Sequence, residues 1–192
     1  MIRFFFILIL VFVNATALAE DFRRYNKVAE YDEHFSKYTK HYFGPAFNWR
    51  HFKAQAIAES RLRPDATSRV GAVGLMQIMP GTYKDITKRH RYIKGSSNDP
   101  QWNIAAGISY NRTLWNIFKA ERPFQDRLDF TFGAYNAGRT NIIRAQKQAQ
   151  RSGINPNLWK SIEQTLPGVT GRSSRETLRY VERIKTIKQD LH

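Results

Sequence analysis

Glu59 is the residue of this sequence best placed to do chemistry. It closes the run Trp49-Arg-His-Phe-Lys-Ala-Gln-Ala-Ile-Ala-Glu, and a glycine-punctuated apolar stretch, Gly71-Ala-Val-Gly-Leu-Met-Gln-Ile-Met-Pro, follows shortly after. Trp49, Phe52, Ala56 and Ser60 fall at helical spacing, and Asn48 is placed to cap the helix. Pro64 disfavours helical geometry at Arg63, so the helix ends near Ser60 to Leu62 and Glu59 lies in its last turn. There the unpaired carbonyls disfavour a carboxylate, and apolar neighbours add a desolvation cost of the same sign. Both effects raise the pKa of Glu59, as a general acid requires.

Other chemistries fit the residues less well. His34, His41, His51, His90 and His192 form no i,i+4 pair with an acid set between them, so no metal site and no cofactor is implied. The chain has no cysteine, and no serine stands in a glycine-bracketed elbow. That leaves carboxylates, and glycoside cleavage ordinarily takes two of them. Glu59 lacks an obvious partner, because no acid lies between Asp65 and Asp85. Asp65 reads as a turn residue after Pro64, Asp99 as a helix cap, and Glu176 as the closing residue of a capping box begun at Ser173. One acid working alone implies that the substrate supplies the second reacting group.

The elements that must position Glu59 read as helices. Glu20 to Tyr42 carries Phe22, Tyr25, Phe35, Tyr38 and Tyr42 at three- and four-residue steps, until Gly44-Pro45 stops it. Val70 to Met79 reads as a loop or small β-hairpin. Asp99-Pro100 opens a long helix with Ile104, Ile108, Trp115 and Phe118 as its stripe, and Gly107 suggests close helix packing. Asp126 to Tyr135 is a further helix, with Leu128 and Phe132 inward and a kink or turn at Asn136-Ala137-Gly138. Another runs from Thr140 to Arg151, and a short one follows Asn155-Pro156 and ends before Pro167-Gly168. Gly168 to Ser174 is expected to be a loop at the rim of a cleft, before a final helix from Ser173 bearing Leu178, Val181 and Ile184. The expected fold class is mainly α, with at most a small hairpin or sheet beside the active-site cleft.

At 192 residues and 42% apolar content the chain reads as one domain preceded by an address. Arg3, the apolar run Phe4 to Val13 and Ala17-Leu18-Ala19 fit a signal peptide over residues 1–19. The alternative, an uncleaved membrane anchor, suits the run less well, since it is short for a span of ~30 Å. Residues 20–45 read as an N-terminal helical extension and 46–192 as the main domain. Export without cysteine means neither disulfides nor a lipid-modified cysteine, so stability rests on packing and the expected location is the periplasm. A formal charge of +15 favours a polyanionic partner. No nucleic-acid-binding motif is present and the basic residues are spread along the chain, which leaves the acidic cell-wall mesh as the more available anion.

Four ordered segments resemble one family. Ala58-Glu59-Ser60, Gly74-Leu75-Met76-Gln77-Ile78-Met79-Pro80, Ala134-Tyr135-Asn136-Ala137-Gly138 and Glu176-Thr177-x-x-Tyr180-Val181 are similar to the signature motifs of the soluble-lytic-transglycosylase family, family 1 of the lytic transglycosylases. The resemblance covers about Phe47 to Ile187, and its specificity lies in the order of the set. It implies a lysozyme-like domain that cleaves the β-1,4 bond between N-acetylmuramic acid and N-acetylglucosamine without water and leaves a 1,6-anhydro end. Glu59 would protonate the glycosidic oxygen and then take the proton of the attacking C6 hydroxyl.

The resemblance also implies that Ser68 contacts the acetamido region, Met76 and Gln77 line the sugar groove, Tyr135 holds the reacting sugar, Asn136 shapes the site and Tyr180 reaches toward Glu59. Arg69, after Ser68, departs from the pattern and adds charge beside the cleft. The partner implied is the peptidoglycan glycan strand. A local role beside an envelope-spanning secretion or conjugation machine is the alternative to wall recycling, and no residue pattern selects between them. A hydrolytic muramidase and a non-catalytic wall-binding protein are the rival readings.

Overall fold

The computed structural model describes residues 21–192, so residues 1–19, expected to be a signal peptide, lie outside the described residues. A 3₁₀ turn at Arg23–Lys27 leads into α1 (Asp32–Phe43), α2 (Arg50–Ser60), α3 (Pro80–Arg89), α4 (Pro100–Ile117), α5 (Phe124–Ala137), α6 (Arg139–Arg151), α7 (Trp159–Thr170) and α8 (Ser174–Asp190). Among the described residues the only β pairing is two isolated bridges, Thr67 to Val73 and Val73 to Ile78. The fold is therefore mainly α.

Helix α2 is the centre of the molecule. Phe52, Lys53, Ala54, Gln55, Ala56, Ile57 and Ser60 are all buried, so it presents no solvent face to speak of. Helices α8 and α1 pack directly on it, α5 reaches it through Phe132 against Phe52 and α4 through Asn111 on Gln55, and the helices close a single core through Phe35, Ile104, Ile108, Phe132 and Val181. A helix buried on every side forces its polar residues to find partners inside the protein. Lys53 meets Asp32 at 2.7 Å and donates to the Val28 carbonyl at 2.7 Å. Gln55 meets Asn111 and Tyr180.

Those tertiary demands account for several departures from the sequence pattern. The expected Glu20–Tyr42 helix is divided between the 3₁₀ turn and α1, because the Val28 carbonyl bonds the Lys53 ammonium instead of continuing a helix. Helix α3 was not expected. It starts with Pro80 at its first position, where no backbone N–H is needed, and buries only Tyr83 and Ile86, too few residues to register as a stripe. Helix α7 runs through Pro167, on an exposed face where water can take the freed carbonyl, and ends at Gly171 instead. The rim loop shrinks accordingly to a 3₁₀ turn at Gly171–Ser173. Gly107 does give a close approach, but to a loop and not to a helix: a Cβ there would lie 2.8 Å from the Met76 side chain. The Ser173 capping box does not form, since Ser173 is helical and makes no capping bond.

Candidate active site

Glu59 is positioned by the way α2 stops. Arg61 and Leu62 both adopt left-handed backbone, φ 58° and 57°, which reverses the chain after Ser60. For residues with a Cβ this conformation costs roughly 1–2 kcal/mol each. The burial of Leu62 helps to hold it.

The following loop is then fastened back onto α2 and α4. Ser60 donates from its hydroxyl to the Leu75 carbonyl at 2.9 Å. Asn103, fully buried on α4, donates to the carbonyls of Val73 at 3.0 Å and Ser97 at 2.7 Å, and accepts from the Met76 N–H at 2.7 Å. Gly74 has φ +77° and sits so close to that amide that a Cβ would come within 2.4 Å of it. Within the loop, Ser68 accepts the Ala72 N–H through its hydroxyl oxygen at 2.9 Å, and Gly74 donates to the Ala66 carbonyl at 2.9 Å.

Around the Glu59 carboxyl the groups are few. Tyr180 donates to Oε1 at 2.5 Å. Burial pushes the pKa of Glu59 from about 4.5 up to about 7, the Tyr180 hydrogen bond pulls it back, and the negative charge of Glu176 adds to the rise. Burial is thus the main cause of the rise expected for Glu59 at the end of α2. Tyr135, whose hydroxyl donates to the Met76 carbonyl at 2.8 Å, is raised well above the usual tyrosine range, first by burial and then by the Glu59 charge. Tyr110 meets the Tyr135 ring edge-on at 5.2 Å between centroids.

Two cavities, one lined by Tyr135 and the other by Glu176, lie beside the groups that act on this carboxyl and share Asn136 and Ala137. One, of about 320 Å³, is lined by Gln77, Met79, Thr82, Tyr110, Tyr135 and Asn136. The other, of about 330 Å³, is lined by Asn136, Asn141, Thr170, Glu176 and Thr177. Together they form a groove with aromatic rings at one end and amide, hydroxyl and carboxylate groups at the other, which is the lining a polyhydroxylated, N-acetylated chain requires. A further cavity of about 200 Å³, at the opposite end of α2 beside His51, is lined by Gln125, Lys185 and Lys188 and does not reach Glu59. Nearby Asp129 is buried, paired with Lys185 at 2.8 Å and pushed up to about 6 by burial. Among the described residues no group of three or more metal-ligating side chains occurs.

The structure sorts the expected site residues as follows. Tyr135, Asn136 and Gln77 line the groove, and Tyr180 reaches Glu59. Met76 does not line it with its side chain, which is fully buried against Gly107; its backbone N–H and carbonyl anchor the loop instead. The Gln77 amide nitrogen is spent on the carbonyls of Ala66 and Gly74, both at 3.0 Å, so only its oxygen is left for a ligand. Ser68 is half-buried, makes no hydrogen bond to Glu59, and keeps its O–H available. Asn136 is held by Thr177, which donates to its Oδ1 at 2.7 Å.

Sequence reasoning missed Glu176 as a groove residue because the capping-box spacing offered it another job. It missed Gln55, Asn103 and Asn111 as well. For Gln55 a signal existed: an amide between Ala54 and Ala56 in an otherwise apolar helix.

Against known proteins, the family model described as Transglycosylase SLT domain matches residues 40–158. The chain belongs to the transglycosylase SLT domain family. Its curated relatives include Membrane-bound lytic murein transglycosylase F of Shewanella pealeana, 30% identical over 155 residues that make up 81% of this chain and 30% of that protein. The protein of the same name from Desulfosudis oleivorans is 31% identical over 151 residues, 73% of this chain and 32% of that one. Among solved structures, the 70 kDa soluble lytic transglycosylase SLT70 of Escherichia coli matches with a TM-score of 0.64 and 29% identity, over 83% of this chain and 24% of that one. A 70-kDa soluble lytic transglycosylase in complex with bulgecin A matches with a TM-score of 0.67 and 28% identity, over 88% of this chain and 25% of that one. This SLT-domain chain therefore spans about a quarter to a third of the length of these relatives. No helix among its described residues is long and apolar enough to cross a membrane.

Proposed function

We propose that this chain is an exported peptidoglycan lytic transglycosylase that cleaves the N-acetylmuramic acid to N-acetylglucosamine β-1,4 bond and leaves a 1,6-anhydro-N-acetylmuramic acid end. The observation that carries the reading is Glu59: a carboxyl that accepts from Tyr180 and feels the charge of the groove residue Glu176, with a pKa of about 7. At neutral pH a large fraction of it holds its proton, and the carboxylate left after donation is a base of matched strength.

The steps balance without water. Glu59 gives its proton to the glycosidic oxygen as the bond from C1 to that oxygen breaks. The C6 hydroxyl of the same muramic sugar then forms a bond to C1, and its proton returns to Glu59. The sugar's own 2-acetamido group, facing the amide and hydroxyl end of the groove, stabilises the oxocarbenium-like state. Tyr135 and Asn136 hold the reacting sugar, and Gln77 and Ser68 contribute one acceptor and one donor to its acetamido groups. The partner proposed is the glycan strand, and the location proposed is the periplasm, supported by the signal-like segment 1–19.

One observation favours a second reading. Glu176 lines the groove and acts on Glu59, so a second carboxylate is present after all, and a carboxylate across the cleft is what water activation takes. Mass spectrometry of digested sacculi separates the two. Anhydro ends carry the transglycosylase reading, and reducing ends carry hydrolysis.

A further inference from the structure

A line of buried polar groups runs from α4 through α2 to the acid, and the proposed reaction has not used it. Asn111, fully buried on α4, donates through Nδ2 to the Gly107 carbonyl at 3.0 Å and to Gln55 Oε1 at 2.7 Å. Gln55, also fully buried, donates through Nε2 to the Tyr180 hydroxyl oxygen at 3.1 Å. Tyr180 in turn donates to Glu59 Oε1 at 2.5 Å.

The direction of this line is set by its far end. A main-chain carbonyl can only accept, so Gly107 obliges the Asn111 amide to present its nitrogen there. That nitrogen's other hydrogen goes to Gln55, which obliges Gln55 to face it with oxygen and to face Tyr180 with nitrogen. The Tyr180 oxygen then receives a hydrogen bond, and its own hydrogen is left for Glu59.

We propose that Gln55 and Asn111 are positioning residues that make the Tyr180 hydroxyl a donor, so that Tyr180 occupies Oε1 and the transferable proton of Glu59 resides on Oε2. The carboxyl is thereby kept from giving its proton backward to tyrosine. Each donated hydrogen bond polarises the next, so Tyr180 also stabilises the carboxylate that forms when the proton leaves. The titratable and charged groups acting on Glu59 are Tyr180 and Glu176 from α8, with Tyr135 of α5 beside it and Tyr110 of α4 behind Tyr135. None of them supplies the ordering that Gln55 gives.

The inference rests on Glu59 being the acid of the proposed function, and the test separates the two. The full chain is assayed on sacculi for release of anhydro ends, with kcat and KM measured from pH 5 to pH 9 for wild type, Gln55→Met, Tyr180→Phe and the double variant. A positioning role predicts that Gln55→Met lowers kcat about five-fold, the worth of one neutral hydrogen bond, with KM unchanged and the alkaline limb moved to higher pH. In the Tyr180→Phe background the same change has no further effect on kcat or on the profile. An equal loss in both backgrounds means that Gln55 serves only packing and overturns the proposal.

Neutron diffraction of the deuterated wild-type protein tests the ordering with no substitution. A deuteron on Tyr180 pointing at Glu59 is the expected result, and one pointing at Gln55 overturns it. Absence of anhydro product from wild type would sink the functional reading while leaving the neutron result to stand on its own.

Discussion

The Tyr180 hydroxyl lies 2.5 Å from Oε1 of Glu59 and joins the last but one residue of the fourth sequence motif to the acid of the first, 121 positions apart. It opposes the burial that raises the pKa of Glu59. The two effects together leave the acid titrating near neutrality. A rate that needs protonated Glu59 falls as pH rises through about 7. Tyr180→Phe removes the stabilising bond to the carboxylate, so that limb shifts to higher pH while kcat drops by ~10- to ~100-fold, the range of a hydrogen bond to a charged group. A pH–rate profile of the two proteins checks both statements.

Glu176 acts on the same carboxyl with the opposite sign to Tyr180. Glu176→Gln removes a like charge and moves the alkaline limb to lower pH. The product ends remain anhydro, because in this account Glu176 does not activate water. Mass spectrometry of muropeptides released by the variant is the check.

Stability should carry the mark of the buried acid. The folded pKa of Glu59 is about 7 and its ordinary value 4.5, so the folded protein binds the proton more tightly than the unfolded chain between those values. Stability contributed by this group is therefore full at low pH and is lost as pH rises toward 7. Glu59→Gln never meets the cost of burying a charge, so it is the more stable protein at pH 8, by up to ~3 kcal/mol, and loses that advantage below pH ~5. Urea unfolding at the two pH values measures it.

The groove loop offers a purely conformational test. Gly74→Ala places a Cβ on the Asn103 amide at a left-handed φ, and Asn103 holds the loop through three hydrogen bonds. The expected outcome is a loss of ~2 kcal/mol or more. Ser60→Ala cuts only the hydroxyl bonds to Leu75 and Ala56 and costs ~1 kcal/mol. Denaturant midpoints rank the two.

The readable part of this protein was whatever repeats or punctuates. The stripe of α4, the Asp99 cap on the Gln101 and Trp102 N–H groups, and the end of α2 before Pro64 all follow from local chemistry. What stayed hidden depends on contacts between distant elements. Nothing local tells that Lys53 will take the Val28 carbonyl, that Met76 will pack under Gly107, or that Ser173 will leave Glu176 free to face the groove. The site shows the same division. Glu59 stands out in the sequence as a carboxyl at the end of an apolar helix, and the raised pKa expected there is what burial gives it. Gln55 and Asn111 were not, since their partners lie 125 and 56 positions away.

The central claim, that Glu59 moves the proton in both steps, is tested most directly by Glu59→Gln assayed on sacculi with the folded state verified. The account predicts a loss of ~10²–10⁴ or more in release of anhydro ends, with sacculus binding nearly intact. Undiminished turnover by a properly folded Glu59→Gln protein would contradict it.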